Sequence, residues 1–319
     1  MSPAAHRGLR IVTDWRDVAP DDRGASVALG NFDGVHLGHR QVIAEAARAA
    51  QALGGDLGVV TFEPHPRRWF QADAPPFRLM TTNQQACALE ALGVDILYRL
   101  PFDTALASMS DQEFAEEVLA RGLGARHVSA GFDIAFGRGR AGNPTRLREL
   151  GAALGFGVTI APPVTCASGE KCSSSAIRDA IEQGRPDEAA RLLGRPFTIE
   201  GVVVHGDKIG RTLGFPTANI QFGDFIRPAE GIYAARTRLP DGREIPSVAY
   251  VGYRPTVNGI DKRLEVNLFD FDEDLYGQTL DVELTAFLRG DETFDGLEAM
   301  KDQIARDCQR ARRILIPDW

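Results

Sequence analysis

The sequence lacks any apolar run long enough to span a bilayer, and the segment Met1–Trp15 has no apolar core of the length that a secretory signal needs. It also lacks an excess of positive charge, because the formal net charge is -8 at pH 7. General binding to nucleic acid or to anionic membranes requires clustered basic surface. We therefore expect a cytoplasmic protein without nucleic-acid or membrane partners, whose polyanionic ligands meet locally placed cations. Weak self-association is left open.

Cysteine is scarce, and the four cysteines are Cys87, Cys166, Cys172 and Cys308. None of them forms a C-x-x-C pair, and no histidine stands near them at the spacing of zinc ligands. Disulfides are uncommon inside cells. We therefore expect reduced, structural thiols.

Two common nucleotide motifs are missing as well. No G-x-x-x-x-G-K-[ST] occurs, so any kinase chemistry needs a scaffold other than the P-loop. Residues 137–142 match G-x-G-x-x-G, but Thr159 to Pro162 stand where a dinucleotide fingerprint has an acidic residue, about twenty positions later. We interpret this segment as a mobile basic loop near the nucleotide or flavin, with a plain surface turn as the alternative.

A chain of 319 residues with 44% hydrophobic content favours two domains. Its first half alternates strand-like and helix-like segments, which predicts an α/β domain with a parallel sheet. The predicted helix 38–53 places Val42, Ala46, Ala49 and Leu53 on one face. The strand candidates are 26–29, 57–62, 96–100, 127–130 and 158–160.

The second half begins after a predicted helical pair, 174–183 and 186–193. We place the boundary at Gly194-Arg195-Pro196, which gives domains 1–195 and 196–319. Short, evenly spaced strands then predict a small antiparallel β-barrel, at 198–204, 232–239, 246–251, 264–269 and 280–288. A final helix, 294–314, aligns one apolar stripe that would cover part of the barrel, formed by Leu297, Met300, Ile304, Cys308 and Ala311.

The first chemical constellation, residues 29–39, lies between the first strong strand and the first strong helix. A helix start offers unpaired N–H groups and a dipole end that attracts anions. His36 and His39 can donate hydrogen bonds to phosphate oxygens there, while Gly34 and Gly38 permit close backbone approach. The alternative is that the histidines are only helix caps or surface residues.

The block Gly-Asn-Phe-Asp-Gly-Val-His-Leu-Gly-His, at 30–39, resembles the H-x-G-H signature of nucleotidyltransferases. It looks like the opening of the bacterial bifunctional riboflavin kinase/FAD synthetases. Three further segments fit the same family: 61–66 (TFEPHP), 131–137 (GFD leading into FG) and 172–178 (CSSSAIR). In the last, hydroxyls at a helix start followed by an arginine one turn later suit a triphosphate tail, although the serines could serve only as caps.

The resemblance implies an N-terminal Rossmann-like domain that adenylates FMN with ATP. His36 and His39 would then steady the α-phosphate and the departing pyrophosphate. Positioning and charge stabilisation would carry catalysis, because the attacking FMN phosphate oxygen is already charged. The implied ATP-binding residues are Asn31, Phe32, Asp33, Gly34, Asp133, Ser174, Ser175 and Arg178, with Asn31, Asp33 and Asp133 contacting the nucleotide or Mg²⁺.

The second constellation, residues 206–219, follows the first strand of the second domain. Its glycines and cations suit a loop wrapped around phosphates. Thr217 and Asn219 supply two oxygen ligands on one side of an extended chain, as Mg²⁺ bridging ATP phosphates prefers. The block resembles the riboflavin kinase signature, which implies ATP binding by Gly206, Lys208, Gly210, Arg211, Gly214 and Pro216, and Mg²⁺ binding by Thr217 and Asn219.

Glu265 lies in a segment that alternates, so Leu264, Val266 and Leu268 should face the barrel interior and Glu265 the other side. An isolated Glu on such a face is ordinarily only solvated. The family pattern makes this Glu the catalytic base that accepts the ribityl 5′-hydroxyl proton of riboflavin. The chain departs from the pattern at Asn267, Tyr250 and Ile134, where His, Asn and Phe are common, which puts flavin contacts in doubt.

The leading hypothesis is a bifunctional enzyme that converts riboflavin to FMN and then FMN to FAD, using ATP and Mg²⁺. One alternative is a nucleotidyltransferase for another phosphate ester, with a barrel that senses a ligand. The other is a flavin-binding regulator or storage protein without ATP turnover. Incubation with riboflavin, ATP and Mg²⁺ discriminates among them.

Overall fold

The computed structural model describes residues 8–165, 169, 171–206, 214–256 and 259–316, with the backbone alone for 254–256 and 259–261. The chain divides into two compact units. The first holds the described residues up to Ala74 together with Thr82–Cys172, and the second holds Pro75–Thr81 and the described residues from Ser173 onward. The helical pair that we assigned to the first domain therefore belongs to the second compact unit. The domain boundary at residue 195 stays a prediction.

The first unit is built on a six-stranded sheet with the order β1-β4-β3-β2-β5-β6, and every pairing in it is parallel. The strands are β1 Arg10–Val12, β2 Ser26–Leu29, β3 Leu57–Glu63, β4 Ile96–Pro101, β5 His127–Gly131 and β6 Gly157–Ala161. The five predicted strands are present, with ends that differ by at most one residue. Strand β1 was not predicted.

Helices and turns connect these strands. They are α1 Leu37–Leu53, α2 Pro66–Phe70, α3 Thr82–Glu90, α4 Thr104–Ser108, α5 Asp111–Glu113 continuing as a π-helix Phe114–Gly122, and α6 Pro144–Leu154, with 3₁₀ turns at Pro20–Asp22 and Arg138–Arg140. In α1 the buried face comprises Val42, Ile43, Ala46 and Ala50. The predicted face was therefore partly wrong. Leu53 is 40% exposed because it lies in the last turn, before Gly54 ends the helix in the left-handed conformation.

The strand order has a switch point between β2 and β5. From β2 the chain proceeds to β3 and β4 on one side, whereas β5 and β6 lie on the other. In open parallel sheets, ligands bind outside the carboxyl ends of the strands at such a point. The loops that follow Leu29 and Gly131 leave the sheet there.

The second unit contains a closed six-stranded antiparallel barrel with the order β10-β11-β8-β7-β12-β9. Its elements are α7 Ser174–Glu182, α8 Pro186–Leu193, β7 Phe197–Val204, β8 Ala218–Gln221, β9 Gly231–Arg238, β10 Glu244–Thr256, β11 Gly259–Leu268, β12 Thr279–Arg289 and α9 Leu297–Leu315. The predicted fold class, a parallel α/β domain followed by a small barrel and a terminal helix, is confirmed. Strand β8 was not predicted as a strand.

Helix α9 packs on the barrel through Cys308, Ala311 and Leu315, against a cluster that includes Phe269 and Leu288. The predicted stripe is right for this end of the helix and wrong for Leu297, which is 65% exposed in the first turn. Cys87, Cys172 and Cys308 form no disulfide, and Cys166 lies outside the described residues. No helix in the described ranges is both long and apolar enough to cross a membrane.

Candidate active sites

The loop after β2 has an unusual backbone. Phe32 and Val35 adopt positive φ angles of 51° and 43°, and Gly34 has a φ of 91°. Side chains disfavour this region, above all β-branched ones such as that of Val35, and each such residue costs of order 1–3 kcal/mol. The surrounding structure must therefore hold this loop in place.

Neighbouring side chains hold the loop through its carbonyl groups. The carbonyl oxygen of Asn31 accepts hydrogen bonds from Thr61 Oγ1 and Gln85 Nε2, both at 3.0 Å. The carbonyl oxygen of Phe32 accepts a hydrogen bond from Gln85 Nε2 at 3.2 Å. The Phe32 side chain is buried. Thr61 belongs to segment 61–66, which carries part of the family resemblance. Sequence reasoning missed Gln85, since a single glutamine in a helix carries no local signal.

His36 caps α1, since its Nδ1 accepts a hydrogen bond from the backbone N–H of His39 at an N···N distance of 3.3 Å. A nitrogen that accepts cannot carry the proton, so the neutral ring bears its proton on Nε2. The rings of His36 and His39 stack with centroids 3.6 Å apart. The cap uses one nitrogen and leaves the other as the ring's donor, so capping and phosphate binding are compatible roles.

Gly38 is needed for close approach at this helix mouth. A Cβ atom there would lie 3.0 Å from the carbonyl oxygen of Cys172 and 3.1 Å from Cε1 of His36. The predicted requirement for a small residue therefore has a physical cause. Asp33 is buried, with 2% exposure, whereas Asn31 is exposed.

Asp133 follows β5, on the other side of the switch point. Its carboxylate pairs with Lys171 Nζ at 2.7 Å, and the same ammonium lies 4.4 Å from the centre of the Phe132 ring. Because both charged side chains are more than one third exposed, the pair contributes little stability. Through this pair Lys171, a cation that sequence reasoning missed, lies at the carboxyl edge of the sheet.

An aromatic patch, formed by Trp69, Phe70 and Phe102, lies after the carboxyl ends of β3 and β4. The Phe102 ring meets those of Trp69 and Phe70 edge to face, at centroid distances of 6.3 and 5.7 Å. Trp69 is 39% and Phe70 68% exposed. Exposed aromatic rings suit stacking of a planar ring system.

The serine-rich start of α7 lies in the second unit. Ser173 is its N-cap and accepts a hydrogen bond from the N–H of Ala176, while Ser174 and Ser175 occupy the first helical positions. Arg178 Nε donates to the carbonyl oxygen of Phe77 at 2.8 Å. The assignment of the triphosphate tail to Ser174, Ser175 and Arg178 stays a prediction.

The G-x-G-x-x-G segment folds as a tight turn. Phe136 and Gly142 exchange backbone hydrogen bonds of 3.2 and 2.9 Å, and a Cβ atom on Gly142 would lie 2.6 Å from the Phe136 ring. Between them runs the 3₁₀ turn Arg138–Arg140. This geometry differs from the strand-to-helix turn of a dinucleotide fingerprint. The basic-loop and surface-turn interpretations both stay predictions.

In the barrel, Glu265 on β11 lies directly opposite Asn219 on β8 and Tyr250 on β10. Directly opposed residues project from the same face of a sheet, so the three side chains form a row across three strands. Leu264 and Val266 are fully buried on the other face, as predicted. Glu265 itself is half-buried.

Asn219 is 7% exposed and lies against the backbone of Gly206, where a Cβ atom would be only 2.3 Å from Asn219 Nδ2. Two predicted residues are thereby brought together. Asn267 Nδ2 donates to the carbonyl oxygen of Pro216 at 2.7 Å, which fixes the chain just before Thr217. Gly214 adopts a left-handed φ of 85°. Lys208, Gly210 and Arg211 lie outside the described residues.

Tyr250 and Ile134, two further positions that depart from the family pattern, make defined contacts in the structure. The hydroxyl of Tyr250 donates to Asp291 Oδ2 at 3.2 Å, and burial together with the nearby Asp291 carboxylate raises the pKa of Tyr250 to about 12. The phenol therefore remains a donor at neutral pH. Ile134 packs against the core of the first unit.

Comparison with known proteins identifies a family for each half of the chain. The FAD synthetase family model matches residues 18–176, and the riboflavin kinase family model matches residues 193–315. A bifunctional riboflavin kinase/FMN adenylyltransferase from Pseudomonas fluorescens is 40% identical and covers 97% of this chain and 99% of its own. The protein of that name from Haemophilus influenzae is 38% identical, over 91% of this chain and 94% of its own.

A solved structure described as a macrolide-efflux protein from Streptococcus pneumoniae is similar in fold, with a TM-score of 0.84 and 32% identity. It covers 95% of this chain and 98% of its own. The description as a macrolide-efflux protein belongs to the Streptococcus pneumoniae structure and is not carried over to this chain. The two family models correspond to the two activities that the relatives' name joins, and those relatives match nearly end to end. This chain therefore belongs to the family of bifunctional riboflavin kinase/FMN adenylyltransferases.

Proposed function

We propose that the chain makes FAD in two ATP-dependent steps, with riboflavin phosphorylated at the barrel and FMN adenylated at the parallel sheet. The observation that carries the proposal is that one polypeptide holds two separate clusters of polar side chains whose chemistry suits phosphate groups. One is the His36 and His39 helix mouth at the switch point, and the other is the Asn219, Glu265 and Tyr250 row.

For adenylation, an oxygen of the FMN phosphate attacks the α-phosphorus of ATP and pyrophosphate leaves. The attacking oxygen is already anionic, so the chain must position reactants and offset charge. His36 donates from Nε2, since Nδ1 is occupied by the helix cap. His39 steadies the same phosphates. The other proposed nucleotide contacts are Asn31, Phe32, Asp33, Gly34, Asp133, Ser174, Ser175 and Arg178.

The aromatic patch offers a surface for the isoalloxazine ring of FMN. Trp69 and Phe70 expose ring faces at the carboxyl edge of the sheet. Stacking on such faces buries the apolar ring system with little loss of side-chain entropy, because the aromatic cluster is already packed around Phe102.

For phosphorylation, the ribityl 5′-hydroxyl of riboflavin attacks the γ-phosphorus of ATP, ADP leaves, and Glu265 accepts the hydroxyl proton. The oxygens of Thr217 and Asn219 are hard donors suited to Mg²⁺, and the glycine at 206 leaves room for the Asn219 amide. Bound there, Mg²⁺ would neutralise phosphate charge. The ATP contacts proposed from the motif are Gly206, Lys208, Gly210, Arg211, Gly214 and Pro216.

Incubation of the purified chain with riboflavin, ATP and Mg²⁺, followed by separation of the flavins, tests the proposal. We expect FMN to appear first and FAD afterwards. Formation of neither product contradicts the proposal. Adenylation of a different phosphate ester, with no FMN formed, would support a nucleotidyltransferase with a ligand-sensing barrel instead.

A further inference from the structure

Gln85 lies on α3 and contacts the strained loop after β2 although it is far from that loop in sequence. Its side chain is 5% exposed, and its Nε2 donates to the carbonyl oxygens of both Asn31 and Phe32, at 3.0 and 3.2 Å. One amide group therefore binds two successive carbonyls. A buried polar group with two such partners has a defined role in the loop's conformation.

The orientation of the Gln85 amide follows from its neighbours. Both contacted atoms are carbonyl oxygens, which only accept, so only the NH₂ end of the amide can face them. That end has two N–H bonds, one for each carbonyl. Thr61 Oγ1 supplies a second donor to the Asn31 carbonyl, and the backbone N–H of Val35 supplies a second donor to the Phe32 carbonyl at 3.2 Å. The Gln85 side chain donates to both carbonyls and so joins the two peptide groups.

The contact also determines where the N–H groups point. In a planar trans peptide the carbonyl and the following N–H point in opposite directions. With the carbonyls of Asn31 and Phe32 turned towards Gln85, the N–H groups of Phe32 and Asp33 point away from it. The left-handed φ of Phe32, 51°, is part of the same arrangement.

We infer that Gln85 is a positioning residue for adenylyl transfer, which holds the carbonyls of Asn31 and Phe32 so that the loop presents its N–H groups and His36 to the phosphates of ATP. This inference rests on the proposed function of the sheet site. Gln85 itself touches neither substrate nor reacting atoms in this role. Its effect passes through the backbone that joins Phe32 to the helix cap.

The test is the steady-state kinetics of FAD formation from FMN and ATP by the full chain carrying Gln85→Leu, Gln85→Glu or Gln85→Lys. Leu removes the donors, Glu keeps the shape but cannot donate when ionised, and Lys restores donors on a chain of similar length. We expect kcat to fall about 10- to 100-fold for Leu and Glu, since small misplacement of a positioned group has effects of this size. We expect KM for FMN to change less than about threefold, and Lys to recover most of kcat.

The same polypeptide provides controls. FMN formation from riboflavin should stay at the wild-type rate, thermal unfolding reports folding of each variant, and Gln51→Leu, an exposed glutamine on α1, should leave FAD formation unchanged. If Gln85→Leu does not fold, Gln85→Glu and Gln85→Lys decide the matter. Wild-type kcat in a folded Gln85→Glu variant, or equal losses in Glu and Lys, overturns the inference alone. A wild-type chain that makes FMN but no FAD contradicts the proposed function and the role of Gln85 with it.

Discussion

The two candidate sites are assembled differently. At the parallel sheet, the central residues come from one continuous stretch, in which a strand ends, the backbone turns through left-handed positions and a helix begins at His36. In the barrel, Asn219, Tyr250 and Glu265 come from three strands and meet only through the register of the sheet. A site made by local backbone leaves a compact sequence motif, whereas a site made by register leaves isolated residues.

The largest effect is expected for Glu265→Gln, which removes the proposed base but keeps the side-chain size. FMN formation should fall about 10²- to 10⁴-fold, the range of general-base catalysis. FAD formation from added FMN should be unchanged, because that reaction belongs to the other site. Initial rates with riboflavin and with FMN, each with saturating ATP, check both statements. Retained FMN formation would remove Glu265 from the base role.

The matching change at the sheet is His36→Asn, since asparagine can still cap α1. Loss of the Nε2 donor should lower FAD formation about 10²- to 10³-fold, as for other donors to developing charge. FMN formation should persist. A variant that keeps full FAD formation would show that His36 acts only as a cap, and equal loss of both products in a folded variant would show that the sites are assigned wrongly.

A smaller effect is expected for Gly206→Ala, whose Cβ atom would meet the Asn219 amide at 2.3 Å. Displacement of this amide should lower FMN formation about 10- to 100-fold and raise the Mg²⁺ concentration needed for half-maximal rate, as is usual when the support of a metal ligand is disturbed. Gly296→Ala is the matched control, since a Cβ there meets no atom within 4 Å. Equal Mg²⁺ dependence in the two variants would exclude Asn219 as a ligand.

The smallest effect is expected for Phe70→Ala in the aromatic patch. Loss of one stacking ring should raise KM for FMN in adenylation about 2- to 10-fold, as for other aromatic pairs. KM for riboflavin in phosphorylation should not change. If KM for riboflavin rises as well, the aromatic patch does not act in FMN binding for adenylation alone, and the prediction is wrong.

Much of the fold could be predicted because hydrophobic patterning is local. Strands β2, β3 and β4 consist mostly of apolar residues and are mostly buried, as strands covered on both faces are. Strand β1 has three residues and an exposed Ile11, so its pairing with β4 depends on distant residues. Strand β8, Ala218–Gln221, has only four residues and begins inside the motif with the proposed metal ligands, which predicts an extended chain but no paired strand.

Residues of the candidate sites were likewise predictable only where they belong to a local sequence motif. His36, His39 and Gly38 belong to a motif with a helix-mouth rationale, and their geometry is consistent with it. Gln85 and Lys171 lie far along the chain from the residues that they contact, so tertiary structure alone reveals them. The same holds for the Tyr250 and Glu265 pairing, since a one-residue change of register would place these side chains on opposite faces.

Mixing the two folded single-site variants tests the central claim of two separate ATP sites most directly. Glu265→Gln cannot start from riboflavin, and His36→Asn cannot finish from FMN. Given riboflavin, ATP and Mg²⁺, neither variant alone should make FAD, whereas the mixture should, as FMN released by one is adenylated by the other. A mixture that yields no FAD, although the Glu265→Gln chain adenylates added FMN, would contradict the account.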